Sequence, residues 1–300
     1  MTKKKIYISG CGGMLGDAFY NTFKNEFELK CTDINDEEDW ISFLDINKFE
    51  DYKKDVFSFY PNYLFHLGAY TDLEFCELNP EKTYITNTKS VEKATQIANQ
   101  LNIPILYIST AGIFDGKKQI YDESDTPNPL GHYAKSKYFG ELYVQKNANK
   151  FIICRAGWMM GGGIKKDKKF VNKILKQIKS GLNSLNVVND KIGTPTYTID
   201  FAKNVKKILE LEYWGLYNLV CEGFTSRIEV CRYILDHLKL SSKININEVN
   251  TSFFKDEYFA IRPDSEQLIN KKLNQKSINF MRDWKLCLSE YLDKDFKDYI

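Results

Sequence analysis

Tyr133 and Lys137 stand four residues apart in Tyr133-Ala134-Lys135-Ser136-Lys137, a spacing that puts a phenol and an ammonium on one face of a helix. A free phenol titrates near ~10, a poor match to neutral chemistry, and a neighbouring cation lowers that value. Tyr133 is therefore expected to trade a proton with a substrate oxygen, with Lys137 assisting. In a chain with 19 Tyr, the same spacing also arises as an ordinary surface pair. A second feature decides between the two. Ile105-Leu106-Tyr107-Ile108-Ser109-Thr110 is an apolar strand that ends in two hydroxyls. Ligands of open α/β sheets sit beyond the carboxyl ends of the strands, so Thr110 is expected to hydrogen-bond a carbonyl oxygen beside Tyr133.

A glycine loop precedes these groups. Ser9-Gly10-Cys11-Gly12-Gly13-Met14-Leu15-Gly16 follows the apolar run Lys5-Ile6-Tyr7-Ile8 and opens a helix. Gly10 permits a tight turn, Gly13 lets the backbone approach a pyrophosphate, and Gly16 lets the helix pack on the strand. The N–H groups of Met14 and Leu15 then begin a helix terminus suited to phosphate. Asp33 stands at the end of the second expected strand, where a partner for a ribose 2′-hydroxyl belongs. A carboxylate there repels a 2′-phosphate, and Asn35-Asp36-Glu37-Glu38-Asp39 adds negative charge and no Arg, so NAD(H) is favoured over NADP(H).

The elements that must position these groups follow an alternating pattern. Strands are expected at 5–9, 28–32, 63–67, 103–109 and 151–156, with helices at 14–24, 80–100 and 133–147. Beyond Gly157 helices are expected at 170–180, 199–211 and 227–238, and strands at 185–188 and 216–220. The fold class is α/β: a Rossmann-type doubly wound parallel sheet with a smaller C-terminal α/β substrate lobe. The dinucleotide domain is placed at 1–157, with 197–221 returning to it. The lobe is 158–196 and 222–300.

Composition narrows the class. The 42 Lys and Arg against 40 Asp and Glu leave a formal charge of +2, which offers no footprint for nucleic acid. Seven dispersed Cys without a CxxC pair read as reduced thiols of a cytoplasmic protein, and three His are too few for a metal centre. The basic start Met1-Thr2-Lys3-Lys4-Lys5 leads into a run too short for a signal peptide or membrane span.

The GxxGxxG spacing, strand-end hydroxyls and YxxxK together resemble the extended short-chain dehydrogenase/reductase family. Leu44-Asp45-Ile46 looks like the element against the adenine, and His66-Leu67-Gly68-Ala69-Tyr70 like the stretch beside the cofactor ribose and nicotinamide. Several further segments, in order, are similar to the dTDP-4-dehydrorhamnose reductase family. These are Gly68-Ala69-Tyr70-Thr71-Asp72 with Cys76-Glu77, Ser109-Thr110 with Ile113-Phe114-Asp115-Gly116, and Tyr121-Asp122-Glu123 with Pro127-Asn128-Pro129. Arg155-Ala156-Gly157-Trp158, Val187-Val188-Asn189-Asp190 with Gly193-Thr194-Pro195-Thr196-Tyr197, and Arg262-Pro263 with Asn270-Lys271-Lys272-Leu273 complete the set.

The resemblance implies reduction of a 4-keto-6-deoxyhexose carried on a nucleoside diphosphate, by Thr110, Tyr133 and Lys137. Thr71, Phe114, Trp158 and Arg262 would meet the substrate, and the enzyme would be a homodimer. Four departures fall on the substrate side. Ala111 and Gly112 replace the family's Asp and Tyr, Lys191 replaces a Gln, and Lys165-Lys166-Asp167-Lys168-Lys169 is a cationic run expected to be solvated. Two other readings stay open. One is a sugar-nucleotide epimerase or bifunctional epimerase-reductase, with Cys76 or His132 as acid–base groups. The other is a non-catalytic cofactor-binding regulatory subunit, against which retention of Thr110, Tyr133 and Lys137 speaks.

Overall fold

The apolar, β-branched runs form strands buried on both faces, as a parallel sheet between helical layers requires. The structure, a computed structural model, describes residues 3–299. Its main strands are β1 (Lys5–Ser9), β2 (Glu28–Asp33), β3 (Ile41–Phe43), β4 (Tyr63–His66), β5 (Ile105–Thr110), β6 (Phe151–Ala156) and β7 (Gly215–Asn218). They lie in the order β7-β6-β5-β4-β1-β2-β3, every pair parallel. The chain runs outward from β1 to β3, then crosses back to β4. That reversal between β1 and β4 opens a crevice at the carboxyl ends of the strands.

One face of the sheet is covered by the helices Met14–Phe23 and Thr198–Glu210, whose Leu15, Phe19, Phe201 and Val205 are buried against it. The helices Phe49–Phe59, Ser90–Gln100 and His132–Asn147 cover the other. The helix Phe49–Phe59 has no counterpart in the sequence reading, because only Tyr52 and Val56 are buried along it and the apolar stripe is thin. The expected single helix 80–100 is divided instead. Pro80–Tyr84 and Ser90–Gln100 flank a π-helical turn, Ile85–Lys89. This wider turn places Asn87 so that its amide brackets the backbone of Tyr70, accepting from its N–H at 2.8 Å and donating to its carbonyl at 2.9 Å. The same amide reaches the Ser136 hydroxyl at 3.1 Å.

After β6 the chain builds small sheets. Trp158–Met160 pairs in parallel with Pro195–Tyr197, and Ser184–Val188 with Asn245–Val249. A third has Ile192–Gly193 in the middle, between Thr225–Ser226 and Ser265–Glu266. These two-residue strands are below the length at which period-two patterning is readable. No helix among the described residues is long and apolar enough to cross a membrane, and among them no cluster of His, Cys, Asp and Glu is arranged to hold a metal.

Candidate active site

A cavity of about 640 Å³ opens over the carboxyl ends of β1, β4 and β5. Gly10, Gly13, Met14, Leu15 and Asp33 line one end, with Leu67, Gly68 and Ala69 beside them. Thr110, Tyr133 and Lys137 line the middle, and Thr71, Trp158 and Arg262 the far end. Residues from seven separate stretches of sequence thus share one wall.

At the first end the backbone does the shaping. Gly10 has φ of 86°, and a Cβ on it would lie 2.2 Å from the Gly68 nitrogen. Nothing lies within 4 Å of the corresponding position on Gly13, which leaves an open cradle in front of the helix Met14–Phe23. No side chain caps that helix, so its first N–H groups remain for an anion. Gly16 is not on the wall. Its role is packing, since a Cβ there would meet the Cys11 carbonyl at 2.1 Å. Gly10→Ala is therefore expected to cost on the order of 3 kcal/mol and to abolish dinucleotide binding. Melting curves and cofactor titration would test this, and wild-type behaviour in both would remove the tight turn from the account.

Asp33 faces the same end, its carboxylate accepting from the N–H of Gly12 and of Asn35, each at 2.9 Å. Asp45 and Ile46 depart from expectation. Asp45 accepts from the Asn47 N–H at 2.9 Å, fixing the turn before the next helix, and stands off the cavity wall. Ile46 is buried beneath Gly68, with its terminal methyl where a Cβ of Gly68 would go. His66 also points away from the cavity, into a buried network with the hydroxyls of Ser9 at 3.1 Å and Ser90 at 2.9 Å. Burial, and then the Lys137 charge, push its imidazole down to about 3, so it is neutral.

The helix His132–Asn147 carries the phenol and the ammonium, and several contacts fix it. Glu77 accepts from the His132 N–H at 2.6 Å, the Tyr107 hydroxyl donates to the Lys137 carbonyl at 2.9 Å, and Thr88 donates to the Ser136 carbonyl at 2.8 Å. Farther along, Glu141 and Arg155 form a buried two-bond ion pair, at 2.6 and 3.1 Å. The Thr110 hydroxyl accepts from the Gly112 N–H at 3.2 Å, and Thr110 lines the cavity together with Tyr133.

The electrostatics differ from the sequence expectation. Burial raises the Tyr133 phenol above its ordinary value; the Thr110 hydroxyl opposes the rise, while Cys76 and Glu266 add to it. Burial also depresses the Lys137 ammonium to about 7, against the pull of Glu141, and its Nζ sits 4.4 Å from the Tyr107 ring centre. The phenol is thus held protonated rather than pushed toward phenolate. That is the correct state for donating a proton to a developing alkoxide.

At the far end, Phe114 does not reach the cavity. It is fully buried, stacked on Tyr121 at 4.2 Å with the Arg155 guanidinium 5.3 Å from its ring, and so supports the floor. Arg262 lies on the wall with its charge committed to Glu74 at 2.8 Å. Trp158 is boxed by the small three-stranded sheet. A Cβ on Gly193 would clash with its indole at 2.5 Å, Glu266 accepts from its Nε1 at 2.7 Å, and the Arg227 guanidinium lies 3.7 Å over its ring. The lysine run is not simply solvated: Lys165, Lys166, Lys168 and Lys169 all line the cavity. Lys166 pairs with Asp17 at 2.6 Å, and Lys169 donates to the Thr71 carbonyl at 3.0 Å.

Arg227 and Glu266 escaped the sequence reading because no local pattern marks them. Glu266 stands 108 positions from the indole it holds. The one available signal was an acidic residue inside the stretch that follows Arg262-Pro263.

Fold and site together define a dinucleotide-dependent oxidoreductase scaffold of the short-chain dehydrogenase/reductase type. The chain belongs to the family described as the RmlD substrate binding domain, whose model matches residues 4–296. It is 28% identical over 297 residues to the dTDP-4-dehydrorhamnose reductase of Aggregatibacter actinomycetemcomitans, covering 95% of this chain and 97% of that one. The crystal structure of a dTDP-4-dehydrorhamnose reductase from Clostridium acetobutylicum superposes with a TM-score of 0.87 at 28% identity, covering 96% and 98% of the two chains. The Bacillus anthracis dTDP-4-dehydrorhamnose reductase, solved in complex with NADP, gives 0.88 at 25% identity over 98% and 100%.

Proposed function

We propose that this chain reduces the C4 carbonyl of a 4-keto-6-deoxyhexose borne on a nucleoside diphosphate, in deoxysugar biosynthesis. The observation that carries the reading is one cavity running from the glycine turn, past Thr110, Tyr133 and Lys137, to Trp158. A reduced nicotinamide dinucleotide, held by Gly10, Gly13 and the helix N-terminus, supplies the hydride. Thr110 hydrogen-bonds the carbonyl oxygen and orients it. Tyr133, kept protonated by burial, delivers its hydroxyl proton to that oxygen as charge develops on it. Lys137 in its charged form stabilises the phenolate left behind. Trp158 offers a fixed aromatic wall to the sugar.

Arg227 supplies charge for the diphosphate. The chain has five arginines, and Arg155, Arg232, Arg262 and Arg282 are ion-paired. Arg227 alone makes no ion pair among the described residues. Its guanidinium lies between the Trp158 and Phe170 rings, and burial depresses it to about 10. The Glu266 charge supports it without forming a direct ion pair, which leaves its N–H groups free for a ligand anion. On this reading residues 1–157 and 197–221 hold the dinucleotide, and 158–196 and 222–300 the sugar nucleotide. The resemblance carries a cytoplasmic homodimer with it.

Cofactor choice follows from Asp33. Its carboxylate, with Glu37 and Glu38 on the same wall, repels a 2′-phosphate, and nearby Lys166 is already paired. NADH is expected to exceed NADPH in kcat/KM by about tenfold or more. The decisive assay follows nicotinamide oxidation with 4-keto-6-deoxyhexose nucleotides, using each cofactor in turn. Binding without turnover on all of them would support a regulatory subunit instead. Neither Cys76 nor His132, the acid–base candidates for epimerisation, lies on the cavity wall.

A further inference from the structure

The sugar end of the cavity contains a carboxylate that the reduction does not use. Glu266 lines the wall on the short strand Ser265–Glu266, which pairs in parallel with Ile192–Gly193. Its Oε2 accepts from Trp158 Nε1 at 2.7 Å. Its Oε1 lies over Gly112, 3.4 Å from where a Cβ on that glycine would stand. Among the described residues no ammonium or guanidinium pairs with Glu266, and the nearby Arg227 lies flat over the Trp158 ring instead. One oxygen is therefore pinned, and the other is an unused acceptor facing the space that a side chain at 112 would fill. Glu266 is half-buried, so that oxygen faces the open cavity and stays free for a substrate donor to take.

We propose that Glu266 is a specificity-determining residue whose Oε1 accepts a hydrogen bond from a donor substituent, hydroxyl or amino, on the substrate sugar. This deepens the nucleotide-sugar reading and rests on it. The absent side chain at Gly112 gives that substituent its room, and Trp158 fixes the carboxylate's angle. The contact selects by loss: a sugar without the donor leaves the carboxylate desolvated and unpaired, and so binds poorly.

Glu266→Gln tests the idea without changing volume. The amide must offer its oxygen to the Trp158 N–H, because two donors cannot face each other, so its NH₂ turns into the cavity. An acceptor becomes a donor. The panel is a 4-keto-6-deoxyhexose nucleotide, its 2-deoxy and 3-deoxy analogues, and the amino sugars bearing nitrogen at the same carbons. For the hydroxyl bearer at the matching carbon, which can rotate to accept from that NH₂ but loses the charge-assisted bond, kcat/KM is expected to fall about 5- to 30-fold in Glu266→Gln, mostly through KM. For the analogue deoxygenated at that carbon, wild type and variant should agree within about threefold. If the natural donor is an amine, the wild type will prefer the amino sugar and the variant will lose that preference.

Gly112→Ala, which places a methyl against Oε1, should shrink the same preference while leaving Glu266 in place. Melting temperature and cofactor affinity, unchanged in both variants, separate selectivity from folding. Equal discrimination across the panel by wild type and Glu266→Gln overturns the proposal and leaves the reductase reading standing. No turnover of any member by the wild type overturns both.

Discussion

Tyr133→Phe is expected to lower kcat by about 10²- to 10⁴-fold, the range over which a positioned proton donor acts. The substitution removes one oxygen and leaves the ring, the helix and Thr110 in place, so cofactor affinity and melting temperature should stay near wild type. The fall should appear equally in kcat and kcat/KM, since the lost interaction forms as the carbonyl oxygen gains charge. Because burial raises the phenol, Tyr133 stays protonated through neutral pH, and no activity limb near pH 7 should belong to it. Turnover within a fewfold of wild type would show that the proton comes from elsewhere.

Lys137→Met carries the second large effect, and it acts in opposite directions on activity and stability. The folded-state ammonium titrates near 7, below its ordinary value of 10.5. Between those values the unfolded chain binds more protons than the folded one, so stability rises with pH across that window. Below about 7 the folded protein carries the full cost of a desolvated charge, on the order of a few kcal/mol. Methionine fills the same volume without charge. The variant should therefore melt several degrees higher than wild type at pH 6, an advantage that fades toward pH 10. Its turnover should fall by about 10²-fold or more, because nothing then stabilises the phenolate. In the wild type, kcat/KM should decline as pH rises through about 7, as the ammonium of the free enzyme is lost. A melting difference independent of pH would mean that Lys137 is not buried as described.

The parts legible in the sequence are those where local pattern and tertiary role coincide. β1, β4, β5 and β6 are short apolar runs because both faces are covered, and Gly10 and Gly13 sit where the backbone itself must turn or lie open. Thr110, Tyr133 and Lys137 were readable because two of them share a helix and the third ends a strand. Phe114 was misplaced because an aromatic beside a strand-end hydroxyl can face the ligand or the floor, and the stacking on Tyr121 that decides this comes from a separate loop. Asp45 was misplaced because the turn that consumes its carboxylate precedes a helix with too thin an apolar stripe to be noticed. For Tyr133 and Lys137 spacing gives proximity and says nothing of desolvation, and it is burial that raises the phenol and depresses the ammonium.

The three short strands around Trp158 separate two kinds of change open to this molecule. Gly193, Glu266 and the start of the Arg227 helix meet the indole from chain segments far from Thr110 and Tyr133. Substitutions there alter what the aromatic wall will accept while leaving Thr110, Tyr133, Lys137 and the glycine turn themselves unchanged. A lineage built this way explores new sugars by editing a few positions late in the chain, while an inherited catalytic half goes on working.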